Sequence, residues 1–251
     1  MYKYLFIIVV AIISISGCTK DEHDEIPTGF TKRVLMDEIT GEWCSSCVSG
    51  ANLFNEILSD NPGTVFGVAH HFGDPLQVKK NGLSEFLLVF YHINSLPSAL
   101  IDRIYDNELS WNTQVQSRLQ EQVDAGLKIE SSIEGYELNV TVTCLSHREL
   151  GDVLLTVFLV EDNVKESEPG AQKNGGGNYV HRHVLRKVLS YKKGDPVTLN
   201  KDVEIKKSYS VNIGQYKKDD LQIVAFIHYG RDKGYTVINT NGTKAGETGT
   251  W

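Results

Sequence analysis

Two cysteines three residues apart, Cys44 and Cys47, constrain this chain more than any other feature. At the start of a helix this spacing places both sulfurs on one face of the first turn. The free backbone N–H groups and the positive end of the helix dipole favour a thiolate there, and a cysteine so placed can have a pKa of roughly 3.5–7.5 instead of about 8.5. The second cysteine can then resolve a mixed disulfide or close an internal one. Half of a zinc site is the alternative, but the sequence has no second Cys-x-x-Cys to complete it.

The flanking segments predict a strand before the cysteines and a helix after them. Residues 33–39 form a short apolar run that is typical of a buried strand. After Cys47, apolar residues recur at helical spacing until Asn-Pro-Gly at 61–63 ends the helix. Strand, Trp-Cys-x-x-Cys turn and helix together resemble the active-site unit of the thioredoxin fold.

Two further positions match that resemblance. Glu38 lies where thioredoxins have a buried acid that assists proton transfer, although Asp37 next to it leaves the register open. Pro97 precedes an apolar run and resembles the cis-proline beside the redox cysteines, where the backbone of Leu96 would hold an extended substrate peptide alongside Trp43. An ordinary turn proline is the alternative.

The N-terminus predicts export and a lipid anchor. Lys3 is followed by an apolar run at 5–15 that is too short to span a bilayer comfortably, and Ile-Ser-Gly precedes Cys18. This segment resembles the lipobox of bacterial lipoproteins, which implies a signal peptide at 1–17 and lipidation of Cys18. A plain signal peptide or a membrane anchor is the alternative. Residues 18–29 form an acidic tether, either a solvated spacer or a surface-export signal of the kind seen in some Gram-negative lipoproteins.

The pattern of apolar residues changes from helical to alternating after Gly126. Residues 127–251 contain about eight predicted strands and no convincing helix, which is typical of an antiparallel sandwich. The sequence therefore predicts an α/β thioredoxin-like domain at 30–126, followed by an all-β, immunoglobulin-like sandwich domain at 127–251. Cys144 lies on the apolar face of a predicted strand, so we expect a buried, inert thiol.

Two histidine pairs raise the question of a metal. His70 and His71 end a predicted strand and point to opposite faces, so a polar residue positioned beside the cysteines is the favoured interpretation. His181 and His183 share one face of another predicted strand but have no evident third ligand, so interdomain or ligand contacts are favoured. The sequence predicts no metal and no other cofactor. The net charge of −7 argues against nucleic acid as a partner.

Four features together resemble the outer membrane protein 28-related lipoprotein family over nearly the whole mature chain. They are the lipobox, Thr-Gly-Glu-Trp-Cys-Ser-Ser-Cys at 40–47, Leu-Pro at 96–97 leading to Ile-Asp-Arg, and Tyr-Val-His-Arg-His-Val-Leu-Arg at 179–186. The resemblance implies a lipid anchor at the outer membrane, on its periplasmic or cell-surface face, and no settled activity.

Two functions stay open at this point. In the first, the protein is a lipid-anchored thiol–disulfide oxidoreductase in which Cys44 attacks, Cys47 resolves and Glu38 moves a proton. Its partners would be cysteine-containing envelope proteins or an envelope reductant or oxidant. In the second, the protein is a non-enzymatic surface binding or adhesion lipoprotein whose disulfide is a relict. The paired cysteines, Trp43 and Pro97 favour the first.

Overall fold

The structure, a computed structural model, describes residues 27–79, 82–108 and 110–251. The predicted signal peptide, Cys18 and most of the predicted tether lie outside these residues. Within them, no helix is long and apolar enough to cross a membrane.

Fourteen strands and three α-helices form the described part of the chain. In chain order they are β1 (Val34–Thr40), α1 (Cys47–Asp60), β2 (Val65–His71), α2 (Leu83–Phe90), β3 (Ser98–Ile101), α3 (Trp111–Leu119), β4 (Ala125–Glu134), β5 (Glu137–Ser146), β6 (Gly151–Glu161), β7 (Val164–Lys165), β8 (Val180–His181), β9 (Val184–Val188), β10 (Asp195–Leu199), β11 (Ile205–Asn212), β12 (Leu221–His228), β13 (Val237–Lys244) and β14 (Thr248–Gly249).

Strands from both halves of the chain form one mixed sheet of eight strands. Its order is β13-β12-β6-β9-β2-β1-β3, and β10 pairs with the first part of β6. β1 runs parallel to β2 and antiparallel to β3. A parallel pairing of Ala69 in β2 with Val184 in β9 joins the two halves, so the sheet is continuous between them.

A second sheet, with the order β11-β5-β4-β14, packs against one end of the first. Alternate side chains of β4 and β5 point inward, as the sequence pattern predicts for a strand with one buried face. They share an apolar core with β6, β10 and β12, which includes Leu127, Val142, Leu155 and Ile223. This part of the molecule is a two-sheet sandwich.

Helices cover both faces of the other end of the large sheet. Val34 of β1 packs with Phe54 of α1 and Val115 of α3 on one face. Leu35, the next residue, packs on the opposite face in a cluster that contains Leu87 of α2 and Phe158 of β6. Burial on both faces explains why all seven residues of β1 are buried.

The predicted fold class is wrong. An α/β thioredoxin-like domain followed by an all-β, immunoglobulin-like sandwich was expected, whereas the chain is mostly β and its two halves share a mixed sheet. The predicted strand, cysteine turn and helix are present. Their sequence pattern, however, does not indicate which strand pairs with the other edge of β2. The predicted domain boundary at 126–127 stays a prediction, and one apolar cluster crosses it, because Leu35 and Val68 share it with Phe158 and Phe226.

Candidate functional site

The turn between β1 and α1 carries a disulfide bond between Cys44 and Cys47. The helix begins at Cys47, whose backbone N–H donates to the Cys44 carbonyl at 3.3 Å. The first turn of α1, which the structure describes in full, holds no acidic side chain that would oppose the positive end of the helix dipole. Cys44 is 6% exposed and Cys47 is 1% exposed, so the first cysteine is the more accessible of two largely buried ones.

Leu96 and Pro97 lie beside this disulfide. The Leu96–Pro97 peptide bond is cis, as predicted. Pro97 packs so closely on α1 that a Cβ at Gly50 would come within 2.5 Å of the proline ring. The hydroxyl of Ser46 donates to the Leu96 carbonyl at 3.3 Å and lies 3.5 Å from the Cys44 sulfur. The fold therefore brings the predicted substrate-binding backbone to the first cysteine.

Trp43 is the exposed member of the predicted site. Its side chain is half exposed, and its indole Nε1 donates to the Phe72 carbonyl at 2.8 Å. One backbone hydrogen bond thus holds a flat apolar surface next to the disulfide, where a partner could pack.

The two neighbouring acids of β1 point to opposite faces of the strand. Asp37 accepts hydrogen bonds from His70 Nε2 and Arg103 Nε, both at 2.6 Å. Burial alone would raise the pKa of Asp37, but the Arg103 charge and the His70 hydrogen bond bring it below its ordinary value. Glu38 Oε1 has no hydrogen-bond partner among the described residues, and burial raises the pKa of Glu38 to about 8. Glu38 lines a cavity together with Cys47, whereas Asp37 is not among the residues that line it.

That cavity measures about 10 Å³. Four of its lining residues carry a buried polar atom that has no hydrogen-bond partner among the described residues, namely Glu38 Oε1, Asn55 Oδ1, His71 Nε2 and His181 Nε2. A cavity of roughly 10–15 Å³ has room for one water molecule, which needs two to four polar partners. These atoms meet that requirement directly beside Cys47.

The two adjacent histidines of β2 point to opposite faces, as predicted. His70 faces Asp37, whereas His71 Nδ1 lies 2.7 Å from Asp74 Oδ2. Burial alone would raise the pKa of Asp74. The hydrogen bond and charge of His71, with two backbone N–H donors, instead bring the pKa of Asp74 below its ordinary value. Asp74 is therefore a carboxylate at neutral pH.

The expectation that His181 and His183 share one strand face is wrong. His183 has a φ of 53° and separates β8 from β9, and its backbone N–H donates to Asp162 at 2.8 Å. His181 ends β8, packs edge-on against His71 with ring centroids 4.7 Å apart, and is buried. Burial lowers the pKa of His181 to about 4. His181 alone of the two joins the site.

The loop at 166–179, between β7 and β8, covers the cysteine turn. Gln172 Nε2 donates to the Cys44 carbonyl at 3.0 Å, and Asn174 Nδ2 donates to the Ser45 carbonyl at 3.3 Å. Both Oε atoms of Glu42 accept hydrogen bonds from Ser167, at 2.6 and 2.5 Å. Sequence reasoning missed this loop, because its polar and glycine-rich composition indicates only a flexible connection. Asp74 was missed because nothing in the local sequence pairs it with His71.

The remaining cysteine lies elsewhere. Cys144 is buried in the sandwich core, as predicted, and burial raises its pKa to about 12. Within residues 27–79, 82–108 and 110–251, no group of three or more His, Cys, Asp and Glu side chains is placed to hold a metal ion.

Solved structures resemble this architecture over most of its length. HBP35 of Porphyromonas gingivalis matches 86% of this chain and 76% of its own, with a TM-score of 0.74 and 18% identity. The protein AGR_C_4864 of Agrobacterium tumefaciens matches 87% of this chain and 96% of its own, with a TM-score of 0.56 and 12% identity. At these identities the likeness concerns the fold alone.

No curated protein sequence matches the chain at a significant level. The model of the family described as outer membrane protein Omp28 matches residues 86–249, which is more than half of the chain. This match confirms both the predicted family resemblance and the predicted outer-membrane location. The chain therefore belongs to the Omp28 family of outer membrane proteins.

Proposed function

We propose that this outer membrane protein exchanges disulfides with cysteine-containing partners through Cys44 and Cys47. The observation that supports it most directly is the composition of the site: a disulfide at a helix N-terminus shares a buried cavity with the carboxyl group of Glu38. A structural staple has no need of a protonatable group held without a hydrogen-bond partner beside it, because such a group costs folding free energy.

The proposed reaction has two exchange steps. In the reduced protein, the Cys44 thiolate attacks one sulfur of a partner disulfide and releases the other partner sulfur as a thiolate. The Cys47 thiol then gives up its proton, attacks the Cys44 sulfur and releases the partner. The partner is thereby reduced by two electrons and the Cys44–Cys47 bond forms. Glu38 moves the proton to and from Cys47, while Leu96 and Trp43 hold the partner segment.

Alkylation of the reduced protein tests this proposal. The alkylation rate of Cys44 should rise with pH around a midpoint clearly below about 8.5, the ordinary pKa of a cysteine. Cys47 should react slowly, because it is 1% exposed. Cys47→Ser should trap partner proteins as mixed disulfides on Cys44, visible on a non-reducing gel, and Cys44→Ser should abolish them. Cys144→Ser is the matched control and should change nothing.

A second candidate is a non-enzymatic binding protein of the outer membrane. Family membership favours it, because the family description gives a location and no reaction. A surface cavity of about 750 Å³ near α2 also fits it, and its lining combines aromatic residues with lysines, namely Phe86, Phe90, Tyr235, Lys192 and Lys193. This candidate predicts an ordinary pKa for Cys44 and no trapped adducts, so the alkylation and trapping experiments separate the two.

A further inference from the structure

We infer that His71, oriented by Asp74 and His181, is the group that finally accepts the proton of Cys47. The inference rests on the proposed thiol–disulfide exchange and adds a base to it. The three residues come from the end of β2, the turn after it and β8, so both halves of the chain contribute to the site.

The hydrogen bonding of His71 leaves one ring nitrogen free to act as a base. Asp74 is ionised and also accepts from the backbone N–H groups of Glu42 at 2.8 Å and Leu76 at 2.9 Å. An ionised carboxylate only accepts hydrogen bonds, so Nδ1 of His71 must carry the proton that it shares with Asp74. Nε2 then bears a lone pair, and it is the atom of His71 that is buried without a partner among the described residues. A base oriented by a carboxylate is the usual arrangement for activating a nucleophile.

Glu38 can pass the proton on but cannot keep it. Because burial raises its pKa to about 8, Glu38 is mostly protonated at pH 7. A neutral carboxyl group receives a proton on one oxygen and releases its own from the other, so its charge does not change. The cavity has room for one water molecule between Cys47, Glu38 and His71. His71 lines this cavity and its ring is hydrogen-bonded to the carboxylate of Asp74, which an acceptor needs.

His181 fixes the ring of His71 without repelling it. The edge-on contact holds the two imidazoles, and burial keeps His181 neutral above about pH 4. Its Nε2 lies 3.6 Å from Glu42 Oε1. Besides Asp74, the titratable and charged groups that line the cavity with His71 are Glu38, Cys47, Tyr179, His181 and Arg182, and neighbouring His70 is electrostatically coupled to His71.

The step is balanced in protons and electrons. The Cys47 proton moves through Glu38 and the intervening water to His71 Nε2, which becomes an imidazolium. The Cys47 electron pair forms the bond to the Cys44 sulfur as the bond between Cys44 and the partner sulfur breaks. The partner leaves as a thiolate with that bond's electron pair, and His71 later releases its proton to solvent.

A two-phase reaction of the reduced mature protein carrying Cys144→Ser tests the inference. An aromatic disulfide such as dithiobis(nitrobenzoate) releases one coloured thiolate when Cys44 attacks it and a second when Cys47 resolves the adduct. The rate of the second release, measured across pH, reports on Cys47 alone. His71→Asn should slow it roughly 100-fold at pH 7, the lower end of what general-base catalysis contributes. The pH midpoint of the second release should be higher in the variant than in the parent. At high pH, where hydroxide replaces the base, the two proteins should release the second thiolate at the same rate.

The matched control is His183→Asn, since His183 adopts a positive φ that asparagine tolerates and it does not line the cavity. Its profile should match the parent. Asp74→Asn should slow the second release in the same way, because an amide donor would reverse the tautomer of His71. Circular dichroism reports whether each variant is folded, because the Cys44 thiol of an unfolded chain would also give a first release.

The outcomes separate the two hypotheses. The role of His71 is overturned if the second-release rate of His71→Asn equals that of the parent at every pH, or is lower by the same factor at every pH. Neither result contradicts the proposed exchange reaction. If the parent itself never releases the second thiolate, the proposed exchange reaction fails, and the role of His71 fails with it.

Discussion

Glu38→Gln and Asp37→Asn should change the free energy of unfolding in opposite directions, although the two acids are neighbours on β1. Glutamine has the shape of the protonated acid that the fold already holds at Glu38, so the replacement removes only the ability to ionise. Asparagine at 37 removes a charge that two buried partners use. His70 and Arg103 donate to Asp37 at 2.6 Å each, and Arg103 is only 5% exposed.

The magnitude for Glu38 follows from its pKa. The ordinary value of 4.5 rises to about 8 in the folded protein. One pKa unit corresponds to about 1.36 kcal/mol, so ionisation of the folded state costs roughly 5 kcal/mol. Between these pH values the unfolded chain has released the proton and the folded chain retains it, so stability falls as pH rises from about 4.5 to about 8. Glu38→Gln should therefore nearly match the parent near pH 4.5 and exceed its stability by roughly 4 kcal/mol at pH 8.

Urea unfolding of both proteins at several pH values measures this difference. Buried His181 and His228, whose pKa values burial lowers to about 4 and about 3, give the opposite trend below pH 6.5. Both proteins contain them, so they cancel in the comparison. Asp37→Asn should lose roughly 3–5 kcal/mol at pH 7, the usual cost of removing one partner of a buried ion pair. A Glu38→Gln advantage that is the same at pH 4.5 and pH 8 would refute the reasoning, because Glu38 would then titrate normally in the fold.

Three further predictions concern the rest of the chain. Mass spectrometry should find acylated Cys18 as the first residue, and a mature protein that begins elsewhere would contradict the lipid anchor. Fragments divided at 126–127 should not unfold cooperatively by themselves, because the large sheet and one apolar cluster cross that point; cooperative unfolding of each fragment would instead support the predicted boundary. Cys144 should resist alkylation at pH 8 in the folded protein and react on unfolding, because burial raises its pKa to about 12. Rapid labelling of folded protein would contradict its burial.

The sequence predicted individual elements better than their assembly. The helix after Cys47 and the strands β5, β6, β11 and β12 are present where the pattern of apolar residues places them, whereas the strand predicted around His181 is interrupted at residues 182–183. Those patterns report which faces are buried, and burial looks the same whether the covering element is a helix, a second sheet or a neighbouring strand. The pairing of β2 with β9 consists of one residue pair, Ala69 with Val184, and no local pattern encodes it. The predicted fold class was wrong because it did not include this pairing, which joins the two halves in one sheet.

The same difference applies to the candidate site: the sequence identified residues within one stretch of chain but not those that come from distant segments. The sequence was sufficient to identify four candidates, because the motif that they resemble has a known spacing along the chain. They are Cys44, Cys47, Glu38 and Pro97. Gln172, which donates to the Cys44 carbonyl from the covering loop, follows the cysteines by more than 120 positions. Its place depends on how β7 and β8 are held, so only the structure could show it.

The topology makes the surroundings of the disulfide depend on both halves of the chain. β8, which carries His181, is followed directly by β9, the strand that pairs with β2, and β2 ends at His71. The same pairing that makes the large sheet continuous therefore positions one histidine of the second half against one of the first. Without β9 beside β2, the cysteine turn would lose the covering loop, and the cavity beside Cys47 would open to solvent. Because burial raises the pKa of Glu38, that pKa would then fall toward its ordinary value. The proton chemistry proposed for this disulfide is thus a property of the joined sheet, beyond what the Cys-x-x-Cys turn alone provides.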